Sequence, residues 1–351
     1  SAKVIVVMRR DATEREIEDV LKHLQDLGLS GHLSRGVERT VIGVVGQVYP
    51  ELADELEPLS GVTDVVPVSK PYKLVSREFQ PHDTAFTVGG VTIGNGQITV
   101  MAGPCAVESE EQVIATALAV KAAGASILRG GAFKPRTSPY SFRGLGKEGL
   151  EILARAREAT GLPIITEVMS VWDVETVAQY ADIIQIGTRN AHNYVLLEEV
   201  GRTGKPVLLK RGMAAHVQEW LLAADYILGQ GNRKVIMCER GIRTFEHFTR
   251  NTFDLAAIPV IKRLSHLPII ADPSHGTGKW YLVEPVALAA IAAGADGLLI
   301  EVHPHPDHAL SDGAQSLTFE NFGRLMERMA QVAQAVGRSL GSSASAPTQG
   351  S

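Results

Sequence analysis

The feature of this sequence that most constrains its fold is an alternation of short apolar strands and helical segments that continues through most of the chain. Two of the intervening helices end in the same four residues, A-A-G-A, at 122–125 and 292–295. The strand-like runs are eight in number and occupy 98–105, 126–131, 163–168, 183–189, 206–212, 234–241, 268–276 and 297–303. Eight strand–helix units over roughly 250 residues predict a (β/α)8 TIM barrel. A doubly wound open sheet is the alternative, but no G-x-G-x-x-G opens the first helix.

The N-terminal residues 1–75 predict a separate, small α+β domain. Their apolar and amphipathic segments follow the order β-α-β-β-α-β, which is typical of a ferredoxin-like domain. The predicted elements are strands at Lys3–Met8, 31–39, Thr40–Val45 and Val62–Val68, and helices at Thr13–Leu27 and Leu52–Leu59. Since no catalytic cluster is visible there, we expect this domain to serve regulation or assembly.

The remaining segments complete the predicted domain organisation. Residues 76–97 form a linker and a β-hairpin that turns at Gly89-Gly90, which we expect to act as a plug or lid for the barrel. The barrel spans 98–340, with a last helix that continues to about Leu340. The tail 341–351, G-S-S-A-S-A-P-T-Q-G-S, is of low complexity and is predicted to be disordered.

Composition excludes several classes of partner. The chain has 351 residues, 45% of them hydrophobic, and a formal net charge of −5, which argues against general binding to nucleic acid or to anionic membranes. Two cysteines provide no disulfide framework and suit a reducing, cytoplasmic setting. We find no signal-peptide-like start, and no apolar run approaches the ~20 residues that span a bilayer.

Polar residues accumulate where the predicted strands end, which in a barrel is the site of catalysis. The densest example is 126–138, S-I-L-R-G-G-A-F-K-P-R-T-S, where two glycines are expected to bring the backbone close to a ligand. A basic surface loop is the alternative for this segment alone. Equivalent positions in the other repeats also carry charges, which favours a shared site.

These residues form two groups. The first contains the carboxylate of Glu167 and six cations, which would repel one another unless anionic ligands such as two phosphates and a carboxylate neutralise them. The cations are Arg129, Lys134, Arg136, Arg189, Lys210 and Arg240. The second group is Cys105, His275, Glu301 and Asp312. This mixture of sulfur, nitrogen and oxygen donors suits one divalent ion, Mn²⁺, Fe²⁺, Co²⁺ or Zn²⁺.

Every one of these residues also has a purely structural interpretation, such as a buried small thiol at Cys105 or a helix cap at His275. Cys238 shares a predicted strand face with Arg240, and we expect it to serve packing. The histidine-rich run 303–308, H-P-H-P-D-H, is expected to be a surface loop, although His303 lies close to Glu301 in the sequence.

Several motifs resemble 3-deoxy-D-arabino-heptulosonate 7-phosphate (DAHP) synthases, and more narrowly the type I-beta subgroup with an N-terminal ferredoxin-like regulatory domain. They are A-G-P-C-A-V-E-S, L-R-G-G-A-F-K-P-R-T-S-P-Y-S-F-R-G, I-G-T-R-N, L-L-K-R-G and A-D-P-S-H-G-T-G. The resemblance implies condensation of phosphoenolpyruvate with erythrose 4-phosphate. It also implies control by an aromatic amino acid and a homotetramer, and it allows a separate chorismate mutase as a partner.

The resemblance also implies a role for each candidate residue. Cys105, His275, Glu301 and Asp312 match metal ligands, whereas Arg136 and Thr137 match the segment that holds the sugar phosphate. Glu167 and Lys134 lie near the attacked carbon. The phosphoenolpyruvate contacts match Arg129, Lys134, Arg189, Lys210 and Arg240. Two alternatives stay open, a 3-deoxy-D-manno-octulosonate 8-phosphate synthase, whose sugar loop is of the K-A-N-R-S type, and a non-catalytic sensor of anionic metabolites.

Overall fold

The computed structural model of the chain describes residues 4–36, 40–67 and 71–341. The chain divides between Pro71 and Tyr72 into two compact units, which are described separately below. All but the first residue of the tail that is predicted to be disordered lies outside the described residues. No helix in the described ranges is long and apolar enough to cross a membrane.

The N-terminal unit is a four-stranded antiparallel sheet with two helices. Its helix α1 begins at a capping box formed by Thr13 and Glu16, and it buries Ile17, Val20 and Leu24 in the core of the unit. The elements are β1 (Val4–Met8), α1 (Glu14–Asp26), β2 (Ser30–Arg35), β3 (Thr40–Val45), α2 (Leu52–Leu56) and β4 (Val62–Pro67). The strand order β2-β3-β1-β4 confirms the predicted ferredoxin-like domain.

A β-hairpin precedes the barrel and fills its amino-terminal end. Strands β5 (Phe86–Val88) and β6 (Val91–Ile93) are joined by Gly89 and Gly90, whose φ angles of 52° and 82° are those of the two-residue turn that twists with its strands. The buried side chains of the hairpin pack against apolar side chains inside the barrel. Gly89 also lies against Pro163, directly before a barrel strand, so the hairpin is a plug and not a lid over the catalytic end.

The second unit contains a closed barrel of eight parallel strands, as predicted. In chain order the strands are β7 (Thr99–Gly103), β8 (Ile127–Arg129), β9 (Ile164–Val168), β10 (Ile183–Ile186), β11 (Val207–Lys210), β12 (Val235–Glu239), β13 (Ile269–Ala271) and β14 (Gly297–Glu301). The helices are α3 (Glu110–Ala123), α4 (Lys147–Thr160), α5 (Val174–Tyr180), α6 (Tyr194–Arg202), α7 (Val217–Leu228), α8 (Ala257–Leu264), α9 (Pro273–Thr277), α10 (Trp280–Ala292) and α11 (Phe319–Ala335).

The barrel interior has an apolar layer next to the plug. Its members are Met101, Ile127, Ile165, Ile183, Leu208, Ile236, Ile270 and Leu299, and β12 adds a second inward apolar side chain above Ile236, that of Cys238; all of them are buried. Because side chains alternate along a strand, the residue two positions further on points to the same side. The strands therefore carry any functional side chains into the interior one layer above these residues.

Some boundaries differ from those predicted. Helix α11 ends at Ala335 and not near Leu340, because Gly337 takes a left-handed φ of 75° and Leu340 then pairs with Ile98 beside the barrel. His275 lies on the short helix α9 and not on a strand, since Pro273 and the Asp272 side chain start a helical turn there.

Candidate active site and metal centre

A buried polar layer lies directly above the apolar layer of the barrel. Each of its members follows an interior apolar residue by two positions, as Lys210 follows Leu208 and Glu301 follows Leu299. The polar layer consists of Arg129, Glu167, Gln185, Lys210, Arg240, Asp272 and Glu301, none of which is more than 7% exposed. Charges buried at this density are retained where they bind ligands or one another, since desolvating each of them is costly.

The polar layer opens into a cleft of about 280 Å³ at the carboxyl ends of the strands. All six cations expected from the sequence line it, together with Thr137, Glu167, His275 and Asp312. Arg250, which the sequence analysis did not single out, adds a seventh cation. The carboxylates that line the cleft are only Glu167 and Asp312, so the described lining attracts anions.

The two arginines at the cleft edge have few protein partners. Arg136 donates from Nη1 to Ser311 Oγ at 2.7 Å, and Arg189 donates from Nη2 to Thr137 Oγ1 at 3.4 Å. Both contacts are to hydroxyl groups and not to carboxylates, so the guanidinium charges stay available to an anionic ligand.

The expectation that Gly130 and Gly131 bring a ligand close to the backbone is not what the structure shows. A Cβ on Gly131 would lie 2.7 Å from the Cys105 carbonyl oxygen and 2.7 Å from Lys134 Cδ, and one on Gly130 would meet Leu153. The glycines make room for neighbouring protein groups, because this segment runs directly beside the residues after β7, with the Gly131 amide donating to the Cys105 carbonyl oxygen at 3.1 Å. Lys134 can therefore donate to the Cys105 carbonyl oxygen and to Cys105 Sγ, each at 3.0 Å.

The four candidate metal ligands come together beside the cleft. Ligand atoms of Cys105, Glu301 and Asp312 all lie within 4.8 Å of one another. The Nε2 atom of His275 lies 3.2 Å from Glu301 Oε1 and 3.8 Å from Asp312 Oδ2. Glu301 Oε1 is buried and accepts no hydrogen bond, although Arg129 Nη1 lies 3.5 Å from it as an ion pair. A buried carboxylate oxygen that accepts no hydrogen bond, next to a thiol and an imidazole, fits a transition-metal or zinc ion.

Asp272, which the sequence analysis left without a role, orients two of the functional groups. Its Oδ2 lies 2.7 Å from His275 Nδ1 and 2.7 Å from Lys210 Nζ. Burial opposes ionisation of Asp272, but His275 and Lys210 lower its pKa well below the ordinary value. Because Asp272 accepts a hydrogen bond from Nδ1 of the imidazole, Nε2 keeps its lone pair and faces Glu301, which is the arrangement that a metal-binding histidine requires. Burial also lowers the pKa of His275, which favours the neutral, ligating imidazole.

Burial affects the two other reactive groups in the opposite sense. It raises the pKa of the Cys105 thiol to about 11, with help from the Glu301 carboxylate, so a bound cation is needed to favour the thiolate. Burial likewise raises the pKa of Glu167, although Lys134, Lys210 and Arg129 oppose the shift. Gly187 provides the space for this side chain, because a Cβ there would overlap Glu167 Oε1. A raised pKa makes this carboxylate a better proton acceptor than an exposed glutamate.

Two residues that the sequence does not reveal as functional, Arg250 and Gln315, contact the carboxylates of Asp312 and Glu301. Arg250 Nη1 lies 3.0 Å from Asp312 Oδ1 and donates to Gln315 Oε1 at 2.8 Å, while Gln315 Nε2 donates to Glu301 Oε2 at 3.0 Å. Both residues lie on loops without periodicity. The one sequence signal for a functional role is their position, since Arg250 lies in the loop after β12 and Gln315 in the loop after β14.

Cys238 and the histidine-rich run have separate surroundings. Cys238 is fully buried in the apolar layer, as expected for packing, and burial raises the pKa of its thiol. His305 and His308 are exposed, as predicted for a surface loop. For His303 the prediction is wrong, because this side chain is buried and its Nε2 lies 3.0 Å from Glu108 Oε2.

Comparison with known protein families covers both units. Residues 73–338 match the DAHP synthetase I family, and residues 4–70 match the DAHP synthase ferredoxin-like domain. The sequence is 53% identical over 334 residues to a phospho-2-dehydro-3-deoxyheptonate aldolase of Thermotoga maritima, and the match covers 95% of this chain and 99% of the relative. A 2-dehydro-3-deoxyphosphooctonate aldolase of Syntrophobacter fumaroxidans is 34% identical over 70% of this chain and 91% of its own.

Solved structures agree with these sequence matches. The crystal structure of a Thermotoga maritima DAHP synthase superposes with a TM-score of 0.78 at 51% identity, covering 97% of this chain and 100% of that one. A truncated form of the Thermotoga maritima synthase, matched over 77% of this chain and 99% of its own, has a TM-score of 0.72 at 50% identity. These relatives are enzymes, which argues against a non-catalytic sensor. The chain belongs to the DAHP synthase family, and its N-terminal unit is that family's ferredoxin-like domain.

Proposed function

We propose that this enzyme condenses phosphoenolpyruvate with D-erythrose 4-phosphate to give DAHP and inorganic phosphate, the first step of the shikimate pathway. The observation that carries the proposal is the combination of a seven-cation cleft with an adjoining cluster of Cys105, Glu301 and Asp312, whose two carboxylates lie within 3.8 Å of His275 Nε2. One substrate brings a phosphate and a carboxylate, and the other brings a phosphate and an aldehyde. The anionic groups need cations, and the aldehyde needs an electrophilic partner.

A divalent ion held by Cys105, His275, Glu301 and Asp312 fits the described geometry. Glu301 Oε1 accepts no hydrogen bond, which leaves it available to an ion, and the thiol and imidazole donors support Mn²⁺, Fe²⁺, Co²⁺ or Zn²⁺ over Mg²⁺ or Ca²⁺. The bound ion would supply Lewis-acid polarisation of the sugar aldehyde. Asp272 supports the set by fixing the His275 ring.

The residues of the cleft divide the work of binding. Arg129, Lys134, Arg189, Lys210 and Arg240 hold phosphoenolpyruvate, while Arg136 and Thr137 hold the phosphate of erythrose 4-phosphate. Two anions held in reacting positions by fixed cations need not find each other by diffusion, which removes much of the entropic barrier. Charge-assisted hydrogen bonds from buried guanidinium groups also orient the substrates.

Proton transfer is assigned to Glu167 and Lys134. The enol carbon of phosphoenolpyruvate attacks the aldehyde carbon of the sugar, so a carbon–carbon bond forms and the aldehyde C=O π bond breaks. The aldehyde oxygen takes up a proton and becomes a hydroxyl group, while C2 of phosphoenolpyruvate becomes electron-deficient. Water then adds to C2, and Glu167, with its raised pKa, accepts the proton that the water loses. Lys134 supplies positive charge and hydrogen bonds as the hemiketal breaks its carbon–oxygen bond and releases phosphate.

An activity assay tests this assignment. Purified enzyme is supplied with a divalent metal and phosphoenolpyruvate, and then with either erythrose 4-phosphate or arabinose 5-phosphate, while phosphate release is followed. We expect turnover with the four-carbon aldose and at least about tenfold lower kcat/KM with the pentose. Preference for arabinose 5-phosphate would instead support the octulosonate activity named for the relatives at 34% identity. Loss of activity with a chelator and recovery with metal test the metal requirement.

We also propose that the ferredoxin-like unit mediates feedback inhibition by an aromatic amino acid such as tyrosine or phenylalanine. Its support is the match to the family's ferredoxin-like domain. Removal of residues 1–71 should leave synthase activity and abolish inhibition. Inhibition that survives the truncation would contradict the proposal.

The assembly and setting of the enzyme are further proposals. A homotetramer in the cytoplasm, with a separate chorismate mutase as a possible partner, follows from the family resemblance. Light scattering on the purified chain tests the tetramer. Co-elution with a chorismate mutase from the same source tests the partner.

A further inference from the structure

A loop between β12 and α8 contacts the cluster formed by Cys105, His275, Glu301 and Asp312. We name residues 242–252 the Arg250 arm, because paired backbone hydrogen bonds between Ile242 and Thr252 close its two ends at 2.8 Å each. The Arg250 amide donates to the Thr277 carbonyl oxygen at 3.0 Å, and Asn251 Nδ2 donates to the His275 carbonyl oxygen at 2.8 Å. The arm is thus attached to the helix that carries His275.

The Arg250 side chain then reaches the two carboxylate ligands. Its Nη1 contacts Asp312 Oδ1 at 3.0 Å and Gln315 Oε1 at 2.8 Å. Since the Gln315 oxygen accepts from Arg250, its amide nitrogen faces Glu301 and donates to Oε2 at 3.0 Å. One guanidinium therefore engages Asp312 directly and Glu301 through a single amide.

These contacts select which oxygen of each carboxylate faces the ligand cluster. Asp312 Oδ1 is occupied by Arg250, so Oδ2 is the atom near Cys105 Sγ, at 3.3 Å, and near His275 Nε2. Glu301 Oε2 accepts from Gln315, so Oε1 is the atom that lies 3.2 Å from His275 Nε2; it accepts no hydrogen bond, and Arg129 Nη1 lies 3.5 Å from it. Arg250 and Gln315 therefore contact one oxygen of each carboxylate, and the other oxygen is the one nearest to the thiol or the imidazole.

The backbone of Asp312 shows why this ligand needs support. Its φ of 50° and ψ of 35° are left-handed, and within the described ranges it is the sole non-glycine residue with a positive φ. Such a conformation is unfavourable for a residue with a Cβ and persists where surrounding contacts impose it. The Arg250 contact is a charged one, and Gln315 lies in the turn that follows Asp312.

We infer that Arg250 is a positioning residue for the metal ligands, and that it sets the coordinating oxygens of Asp312 directly and of Glu301 through Gln315. This inference rests on the proposed metal site. It assigns Arg250 to the metal cluster and not to substrate binding, although the side chain also lines the cleft and is 37% exposed. Partners behind metal ligands of this kind typically affect metal affinity 10- to 100-fold.

The test compares zinc affinity among variants by competition with a chromophoric chelator. Arg250→Met and Gln315→Leu remove the two links, and the double variant removes both. Arg243→Met is the matched control, because Arg243 lies on the same arm, is exposed, and reaches only the Met213 sulfur, at 3.7 Å, among the hydrogen bonds of its side chain. Unfolding of each metal-free variant is followed by circular dichroism.

We expect Arg250→Met and Gln315→Leu each to weaken zinc binding about 10- to 100-fold. The zinc affinity of the double variant should be only slightly lower than that of the weaker-binding single variant, since Arg250 and Gln315 act through one connected set of contacts. Arg243→Met should stay within about twofold of wild type. Arg250→Lys keeps the positive charge but cannot contact Asp312 and Gln315 together as the guanidinium does. Its zinc affinity should therefore lie between those of Arg250→Met and the wild type.

Zinc affinity of Arg250→Met equal to that of Arg243→Met, with a raised KM for either substrate, would overturn the inference and make Arg250 a substrate contact. Should Arg250→Met fail to fold, Gln315→Leu and Arg250→Lys decide the question by the same comparison. Failure of the proposed function has a different signature. Zinc affinity of Cys105→Ala equal to that of wild type would remove the metal site itself, and the inference with it.

Discussion

The two interior layers of the barrel are built on the same strands, yet they have opposite properties. Leu208 and Lys210 share a strand face, as do Cys238 and Arg240, and Leu299 and Glu301. In each pair the first residue packs against the hairpin plug or its neighbours, and the second is a buried charge. The position of a residue along the strand therefore determines whether it packs the core or belongs to the candidate active site. Burial does not distinguish the two layers, because both are almost completely inaccessible to water.

The chain provides a matched pair for this comparison, since it has two cysteines, and both are buried. Cys105→Ala should reduce kcat/KM by about 1000-fold or more, or roughly 4 kcal/mol, because the proposed metal site loses one of its four ligands. Cys238→Ala should keep kcat/KM within about threefold and lower only the free energy of unfolding, by about 1–2 kcal/mol. Steady-state kinetics and urea unfolding measure both. Equal loss of activity in the two variants would break the distinction between the layers.

The plug should matter for stability and not for chemistry. Ile93 is fully buried in the apolar layer's cluster, so Ile93→Ala should lower the free energy of unfolding by about 2–5 kcal/mol through transfer and cavity effects. Leu118→Ala is the control, because Leu118 is 52% exposed on α3. Unfolding midpoints in urea measure both, and a change of either substrate KM in Ile93→Ala would contradict the separation of roles.

The cleft edge allows a sharper test of substrate assignment. Arg136→Ala should raise the KM for erythrose 4-phosphate about 10- to 100-fold and leave the KM for phosphoenolpyruvate within about threefold, because one charge-assisted phosphate contact is removed. Arg143→Ala is the matched control, since Arg143 is exposed on the same loop and donates only to the Pro139 carbonyl oxygen in the described contacts. An unchanged KM for the sugar phosphate would remove Arg136 from this role.

The outer surface of the barrel should respond least. Arg155 Nε and Glu110 Oε1 form an ion pair of 2.7 Å between α4 and α3, with both side chains about half exposed. Arg155→Ala should change the free energy of unfolding by less than about 1 kcal/mol, and by less still in 1 M salt. Thermal unfolding at two ionic strengths measures this, and a larger loss would show that charges matter on both sides of the strands.

Much of this arrangement could be predicted from the sequence because strands alternate and end regularly. The eight strands and the Gly89-Gly90 turn follow from local patterns, and Cys105, Glu167, Lys210 and Glu301 stand where strand ends place them. Arg250, Gln315 and Ser311 could not be found in this way. Their contacts depend on the paths of loops that have no periodicity, and no rule of spacing brings them to the carboxylates.

Packing explains two further differences between sequence and structure. The space beside Gly131 is filled by the Cys105 carbonyl oxygen and the Lys134 side chain. This is a tertiary contact, which the local preference of glycine for ligand-binding turns does not predict. His303 is buried because Glu108, from a distant loop, provides its partner. In both cases the sequence reveals that a residue is unusual, and only the fold shows what it contacts.

The most direct test of the account is titration of the metal-free enzyme with Co²⁺, followed by the near-ultraviolet thiolate-to-cobalt absorption. We expect one Co²⁺ per chain with this absorption in the wild type and in Cys238→Ala, and its absence in Cys105→Ala. An unchanged absorption in Cys105→Ala, or its loss only in Cys238→Ala, would show that the metal does not bind at the carboxyl ends of the strands.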